Sequence, residues 1–344
     1  MKKFLFTAIA AALPLAALAQ SSVTAYGRID LSVEHLSLKS TPTRAGSSLN
    51  ALTSDASLLG FRGTEDLGGG SQAYFKLETG VSMDSGSQSV PTTFWNREAY
   101  VGLGNAKFGS VQLGSQWAPA LFQSVKADPF QRFGPGGQYT LMQGLRGYTL
   151  KFNNAVQYIS PNIGGLSGRL YAVAGEGVAT GKAYAGSIDY AQGPLFVGAC
   201  YEETQVSPAA VGLAGTNITS KTTSVAGTYD FKVAKLHAQY QTNDIANLSK
   251  VNAYLVGLTV PLGQGEVRAS YSHRSATNAD ASLFGLGYIY FMSKRTHLYG
   301  TVASLNNSGT AAFRMGPATS EQASLGSVAG QDTTGTQVGI RHFF

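Results

Sequence analysis

Charge is scarce in this sequence. Asp, Glu, Lys and Arg make up 13% of the 344 residues, about half the ~25% usual in soluble globular domains. That shortage disfavours a soluble helical enzyme, whose surface needs more Glu and Lys. Cysteine is scarcer still: the single Cys200 excludes an intramolecular disulfide framework and a Cys-rich zinc site, and reads as a small packing residue. After the first twenty residues no apolar run approaches 18 residues, so no transmembrane helix is available. The five histidines, His35, His237, His273, His297 and His342, show no metal-ligand spacing. There is no Gly-x-Ser-x-Gly elbow. Gly68-Gly69-Gly70-Ser71 is not followed by the Lys and helix that a phosphate loop requires, so it reads as a turn. Bases are scattered rather than clustered, which is no nucleic-acid footprint. No catalytic residue, metal or cofactor is expected.

What is present is glycine, 42 residues, and aromatics, with 17 Phe and 17 Tyr. Disordered chains lack such aromatics. Met1-Lys2-Lys3, the apolar run Phe4 to Leu18 and the small-x-small triplet Ala17-Leu18-Ala19 read as an export leader spanning 1–19, with Gln20 as the new N-terminus. Its removal takes the formal charge from +6 to +4. Residues 20–344 are then one domain.

That domain alternates. Ala25, Gly27, Ile29, Leu31 and Val33 fall on one face, and Thr24, Tyr26, Arg28, Asp30 and Ser32 on the other, the period of a strand. Similar runs fall at 58–66, 71–82, 94–104, 107–117, 147–160, 165–176, 183–191, 194–204, 222–232, 234–243, 250–260, 264–275, 281–291, 295–305 and 334–344. With 23–33 that is sixteen. Connectors alternate too. Short turns such as 66–70 and 105–106 separate longer segments at 34–57, 83–93, 118–146, 205–221 and 306–333. Long loops at one end and an even strand number point to an outer-membrane barrel, the one spanning structure besides a helix that satisfies its backbone in lipid. Val225, Gly227, Tyr229, Phe231, Leu236, Ala238, Tyr240, Tyr254, Val256, Leu258 and Val260 are lipid-face candidates. Asn154, sharing parity with Phe152 and Val156, is an exception that leaves open a protein contact or a change of register. A barrel of sixteen strands is too wide to fill with its own side chains and encloses an aqueous channel.

Several segments resemble one family. They include Ser22-Val23-Thr24-Ala25-Tyr26-Gly27-Arg28-Ile29-Asp30, Leu59-Gly60-Phe61-Arg62-Gly63-Thr64-Glu65-Asp66-Leu67-Gly68-Gly69-Gly70, Asn96-Arg97-Glu98-Ala99-Tyr100-Val101-Gly102-Leu103, and Lys151-Phe152-Asn153-Asn154-Ala155-Val156-Gln157-Tyr158. Ser293-Lys294-Arg295-Thr296 and the terminal Val338-Gly339-Ile340-Arg341-His342-Phe343-Phe344 complete the set. Together they resemble the trimeric Gram-negative general porins of the β-proteobacterial type. The resemblance implies an all-β, 16-stranded antiparallel transmembrane barrel, a homotrimer in outer-membrane lipid, and a third external loop, here 118–146, folded into each pore. It also implies that Phe344 marks the chain for outer-membrane assembly. Thr336, Val338, Ile340, His342 and Phe344 make the outer face of that last strand.

Charged rings set selectivity in a wide pore. Parity places Arg28, Arg62, Arg97 and Lys151 in the lumen as a basic wall. Loop 118–146 carries Lys126, Arg132 and Arg146 against the single acid Asp128. Relatives often bear Pro-Glu-Phe-Gly-Gly at the loop tip; Arg132-Phe133-Gly134-Pro135-Gly136-Gly137 here lacks that acid. Leu58 and Ser115 stand where the family often has arginine. The expectation is a general diffusion channel for small hydrophilic solutes with modest anion preference. Pairing of these bases with Asp30 and Glu78 would leave the pore near neutral. A substrate-specific channel, with Tyr26, Tyr74, Phe130, Phe133 and Tyr139 as aromatic contacts, and an outer-membrane hydrolase are the alternatives.

Overall fold

Alternating side chains close into an antiparallel sheet whose first and last strands pair with each other. The computed structural model describes residues 22–142, 149–176, 181–207, 209, 217–246, 248–315 and 327–344; the leader and Arg146 lie outside the described residues. The first strands are β1 (Ser22–Leu38), β2 (Ser47–Ser54), β3 (Leu58–Gly68), β4 (Ser71–Ser82), β5 (Ser87–Gln88), β6 (Glu98–Asn105) and β7 (Gly109–Trp117). Two helices follow, α1 (Pro119–Ala127) and α2 (Tyr139–Met142). Then come β8 (Lys151–Ile159), β9 (Leu166–Val173), β10 (Ala183–Gln192), β11 (Leu195–Val206), β12 (Ile218–Asp230) and β13 (Lys235–Ile245). The last are β14 (Val251–Leu262), β15 (Gly265–Ser275), β16 (Ala281–Phe291), β17 (Thr296–Asn307) and β18 (Thr333–Phe343).

Seventeen of these make the sixteen barrel staves, because β2 and β3 share one. β5 is a two-residue strand paired to the end of β4. β2 is the upper part of the second stave: it pairs with Leu31–Leu38 of β1, while β3 pairs with Ser22–Arg28 below it. Residues 34–57, expected as one long loop, are therefore mostly strand. β1 also pairs with β18 from Arg28↔Phe343 to Leu38↔Thr333, which closes the barrel. Closure satisfies the backbone groups that an open edge would leave bare in lipid.

The alternation of β1 holds as expected, with Val33 outside and Asp30, Ser32 and Glu34 buried inside. Outward positions are apolar: Val225, Tyr229, Phe231, Leu236, Tyr240, Tyr254, Val256 and Leu258 are all exposed. Asn154 resolves as a change of register. Its φ is +55°, and between the pairs Gly114↔Ala155 and Gln116↔Phe152 two residues of β8 face Ser115 alone. Such a bulge adds one residue and flips the parity beyond it. Phe152 therefore turns inward, 3% exposed, and packs edge-on against Tyr171, with ring centroids 5.7 Å apart.

Residues 118–142 lie against the inside of the wall. α1 rests on β10 to β13 and α2 on β15 and β16. Ala120, Leu121 and Met142 pack with Cys200, Ala253 and Leu255. Leu141 joins Leu36, Leu283, Leu305, Ala311 and Met315 in a second cluster, so the described part of the last external loop packs inward as well. Cys200 is a buried packing residue, as its parity suggests.

Candidate functional site

The loop tip lies on a floor of glycines. A Cβ at Gly257 would stand 2.5 Å from Pro129, and one at Gly285 would stand 2.8 Å from the Gly136 Cα. Without side chains there, the segment 129–137 approaches the wall closely. Its turn passes through Gln131 and Arg132, at φ +55° and +73°, a region that non-glycine residues seldom occupy. The carboxylate of Asp128 holds that turn. It accepts from the backbone N–H groups of Phe130, Arg132 and Gln138, each at 2.9 Å. Burial pushes this carboxyl up to about 6, against the three hydrogen bonds that favour its charged form.

Polar anchors tie the loop to the barrel. Glu202 of β11 accepts from the Ala120 N–H at 2.8 Å, in the first turn of α1. Gln138 Nε2 donates to Gln239 Oε1 at 3.0 Å, Gln241 Nε2 to the Met142 carbonyl at 2.9 Å, and Arg274 Nη1 to the Leu141 carbonyl at 2.8 Å. Phe133 meets the Arg28 guanidinium, 4.8 Å from its ring centroid. The loop thus covers the inner wall from β10 round to β18 and touches β1. The bare wall opposite runs through β3, β4 and β6.

On that wall the sequence-predicted bases come together around two acids. Arg97 lies just before β6, where Glu98, Tyr100 and Gly102 take the inner face and Val101 and Leu103 the outer. Strand parity does not bring Arg97 inward; its guanidinium turns in to pair with Glu78. Lys76, which the sequence reading missed, bridges Glu98 at 2.5 Å and Glu78 at 3.3 Å. Tyr26 donates to Glu78 at 2.9 Å, and Arg62 lies over the Tyr26 ring at 5.2 Å. Arg28 donates to the Ala56 carbonyl and lies within electrostatic reach of Arg97 and Arg341. The bulge at Asn154 removes the parity that put Lys151 in the lumen; its ammonium instead donates to the Asn96 carbonyl at 2.9 Å, beside Arg97.

Asp128 and Arg132 lie on the loop but are buried in it: they are 1% and 5% exposed, and Arg132 lies over the Tyr139 ring. Asp30 pairs with Arg341 at 2.5 Å and accepts from Tyr299 at 2.6 Å, rather than with a predicted wall base. The pairs Arg169–Asp189 and Arg268–Glu266 were also missed. Parity could have supplied Arg341, because Ile340 and His342 are its outward neighbours. Among the described residues Arg28, Arg62, Lys126 and Lys151 form no ion pair, and no group of three or more His, Cys, Asp or Glu is arranged to hold a metal.

Comparison with known proteins agrees with this geometry. The family profile described as Gram-negative porin matches residues 6–310. Outer membrane porin protein 32 of Delftia acidovorans is 35% identical, over the full length of both chains. An outer membrane porin protein of Bordetella pertussis is 30% identical over 87% of this chain and 92% of its own. The solved anion-selective porin from Comamonas acidovorans superposes with a TM-score of 0.81 at 28% identity, covering 94% of this chain and all of its own. A closed sixteen-stranded barrel, a loop folded into its lumen and relatives of full-length extent place the chain in the Gram-negative porin family, as an outer-membrane channel protein rather than an enzyme.

Proposed function

We infer that the chain is a general diffusion porin that passes small hydrophilic solutes passively and prefers anions modestly. One observation carries the preference. Arg28, Arg62 and Lys126 keep their charge without an ion pair among the described residues, whereas Asp128 and Glu202 are buried and occupied by backbone N–H groups. Charged rings of one sign bias a pore toward the opposite ion. Screening beyond about 10 Å at 0.1 M salt keeps that bias modest in a wide lumen. The salt bridges of Glu78 and Glu98 reduce it further but leave the balance positive. The solved anion-selective relative supports the same sign.

Family membership also supports a homotrimer in outer-membrane lipid, a leader over 1–19 removed on export from the domain 20–344, and Phe344 as the assembly mark. The test is the zero-current potential of the refolded protein in a planar bilayer under a KCl gradient. A chloride-signed potential is expected, reduced in Arg62→Glu. A potassium-signed potential overturns the anion preference, and absence of conductance overturns the open channel.

A further inference from the structure

Under α1, toward the short-turn end of the barrel, a cleft of about 440 Å³ opens off the lumen. Its depth follows from its lining: Phe196, Lys235 and Arg268 each lie within three residues of the start of their strands, where β11, β13 and β15 leave short turns. Three cations from separate elements converge there, Lys126 of α1, Lys235 of β13 and Arg268 of β15. The hydroxyls of Thr228 and Thr259 and the imidazole of His237 add polar lining. His237 Nε2 lies 3.1 Å from Thr259 Oγ1, which orders the two groups.

Each acid near this cleft has a partner of its own, Asp189 with Arg169 at 2.9 Å among them. Glu266 pairs with Arg268, at 2.5 Å to Nη2 and 2.7 Å to Nε. Asp128 spends both oxygens on its own loop. Lys126 and Lys235 form no ion pair among the described residues, and the Lys126 ammonium lies 4.2 Å from the centroid of the Phe196 ring. Two ammonium groups and two hydroxyls around one cleft suit a doubly charged tetrahedral oxyanion, which offers more acceptor oxygens than chloride. A volume in the range of small-molecule pockets, about 300–1,000 Å³, also admits a small organic substituent.

We propose that this cleft is a binding station for phosphate dianions, as inorganic phosphate or a small phosphomonoester, on the periplasmic side of the loop that folds into the lumen. The inference rests on the reading of the chain as an open, anion-passing channel. Single channels are recorded in KCl while inorganic phosphate or glucose 6-phosphate is added to one side at constant ionic strength. Phosphate added from the periplasmic side reduces the chloride current saturably, at lower concentrations than from the external side. Stronger block by glucose 6-phosphate assigns the cleft to phosphomonoesters, and equal block assigns it to the phosphate group alone. Lys235→Gln raises the half-blocking concentration about tenfold while chloride conductance is retained, as loss of one charge-assisted contact requires. Thr259→Val gives a smaller change in the same direction. Intact chloride conductance without saturable block, or block unchanged in both variants, overturns the station alone. Absence of chloride conductance overturns the channel reading and the station with it.

Discussion

Phe344 and Gly27 exchange both backbone hydrogen bonds, N to O at 3.1 Å in each direction, so the last residue of the chain completes the ladder that closes the barrel. The Phe344 ring occupies the space a side chain at position 27 would need: a Cβ there would collide with the ring and stand 2.7 Å from the Leu58 carbonyl oxygen. The ring can turn aside, but the carbonyl belongs to the paired strand. Gly27→Val is therefore expected to destabilise the folded barrel by about 1–3 kcal/mol, the usual cost of overpacking. Thermal unfolding followed by gel mobility checks this. An unchanged midpoint would mean that the closure is looser than the contact implies.

The glycine floor under the loop makes a prediction about pore size. In Gly285→Val the new side chain meets Phe130 and the Gly136 backbone and lifts the tip into the lumen. Single-channel conductance should fall while the far-ultraviolet spectrum stays that of a β-barrel. Conductance equal to wild type would show that the tip does not limit flow.

Glu202 gives a pair of opposed variants. Glu202→Ala leaves the buried Ala120 N–H without its acceptor, at about 1–3 kcal/mol, and is expected to loosen α1 and increase open-channel noise. Glu202→Gln retains an acceptor oxygen and should restore quiet channels. Equal noise in both would assign the effect to lost charge rather than to the hydrogen bond.

Asp128 sets the pH response of the loop tip. Its carboxyl, near 6 in the folded loop, stands above the ~3.9 of an unfolded chain. Between those values the folded loop binds more protons than the released one, so its stability falls as pH rises from about 4 to 6 and is fully gained below about 4. Acidification from pH 7 to 5 should thus steady the loop. Open-channel noise is expected to decline with a midpoint near 6, and Asp128→Asn should flatten that dependence. Noise that grows on acidification would contradict the assignment.

Fold class was legible in the sequence because a strand in a barrel has one wet and one greasy side, and period two records both. Val225, Tyr240 and Val256 follow that rule. Legibility failed where the rule is locally broken. One extra residue at Asn154 reverses Phe152 and Lys151, and nothing in the alternation marks which strand takes it. Leu255, Leu283 and Leu305, apolar on the inner face, are the overlooked sign that a loop covers that wall.

Charge at the site divides the same way. Residue order tells which bases are present and, on regular strands such as β1, that Arg28 faces inward. Their pairing is a product of strand register: Glu78 lies opposite Glu98 on the neighbouring strand, next to Arg97 19 residues on, and Asp30 meets Arg341, 311 residues away, where β1 closes against β18. The fold also commits Asp128 to the loop rather than to the pore, because three N–H groups of one turn converge on its carboxylate. Periodicity reports which face a side chain takes, a local property of the backbone. Neighbours across the lumen depend on how sixteen strands close and where the loop folds, and no local pattern encodes that distance.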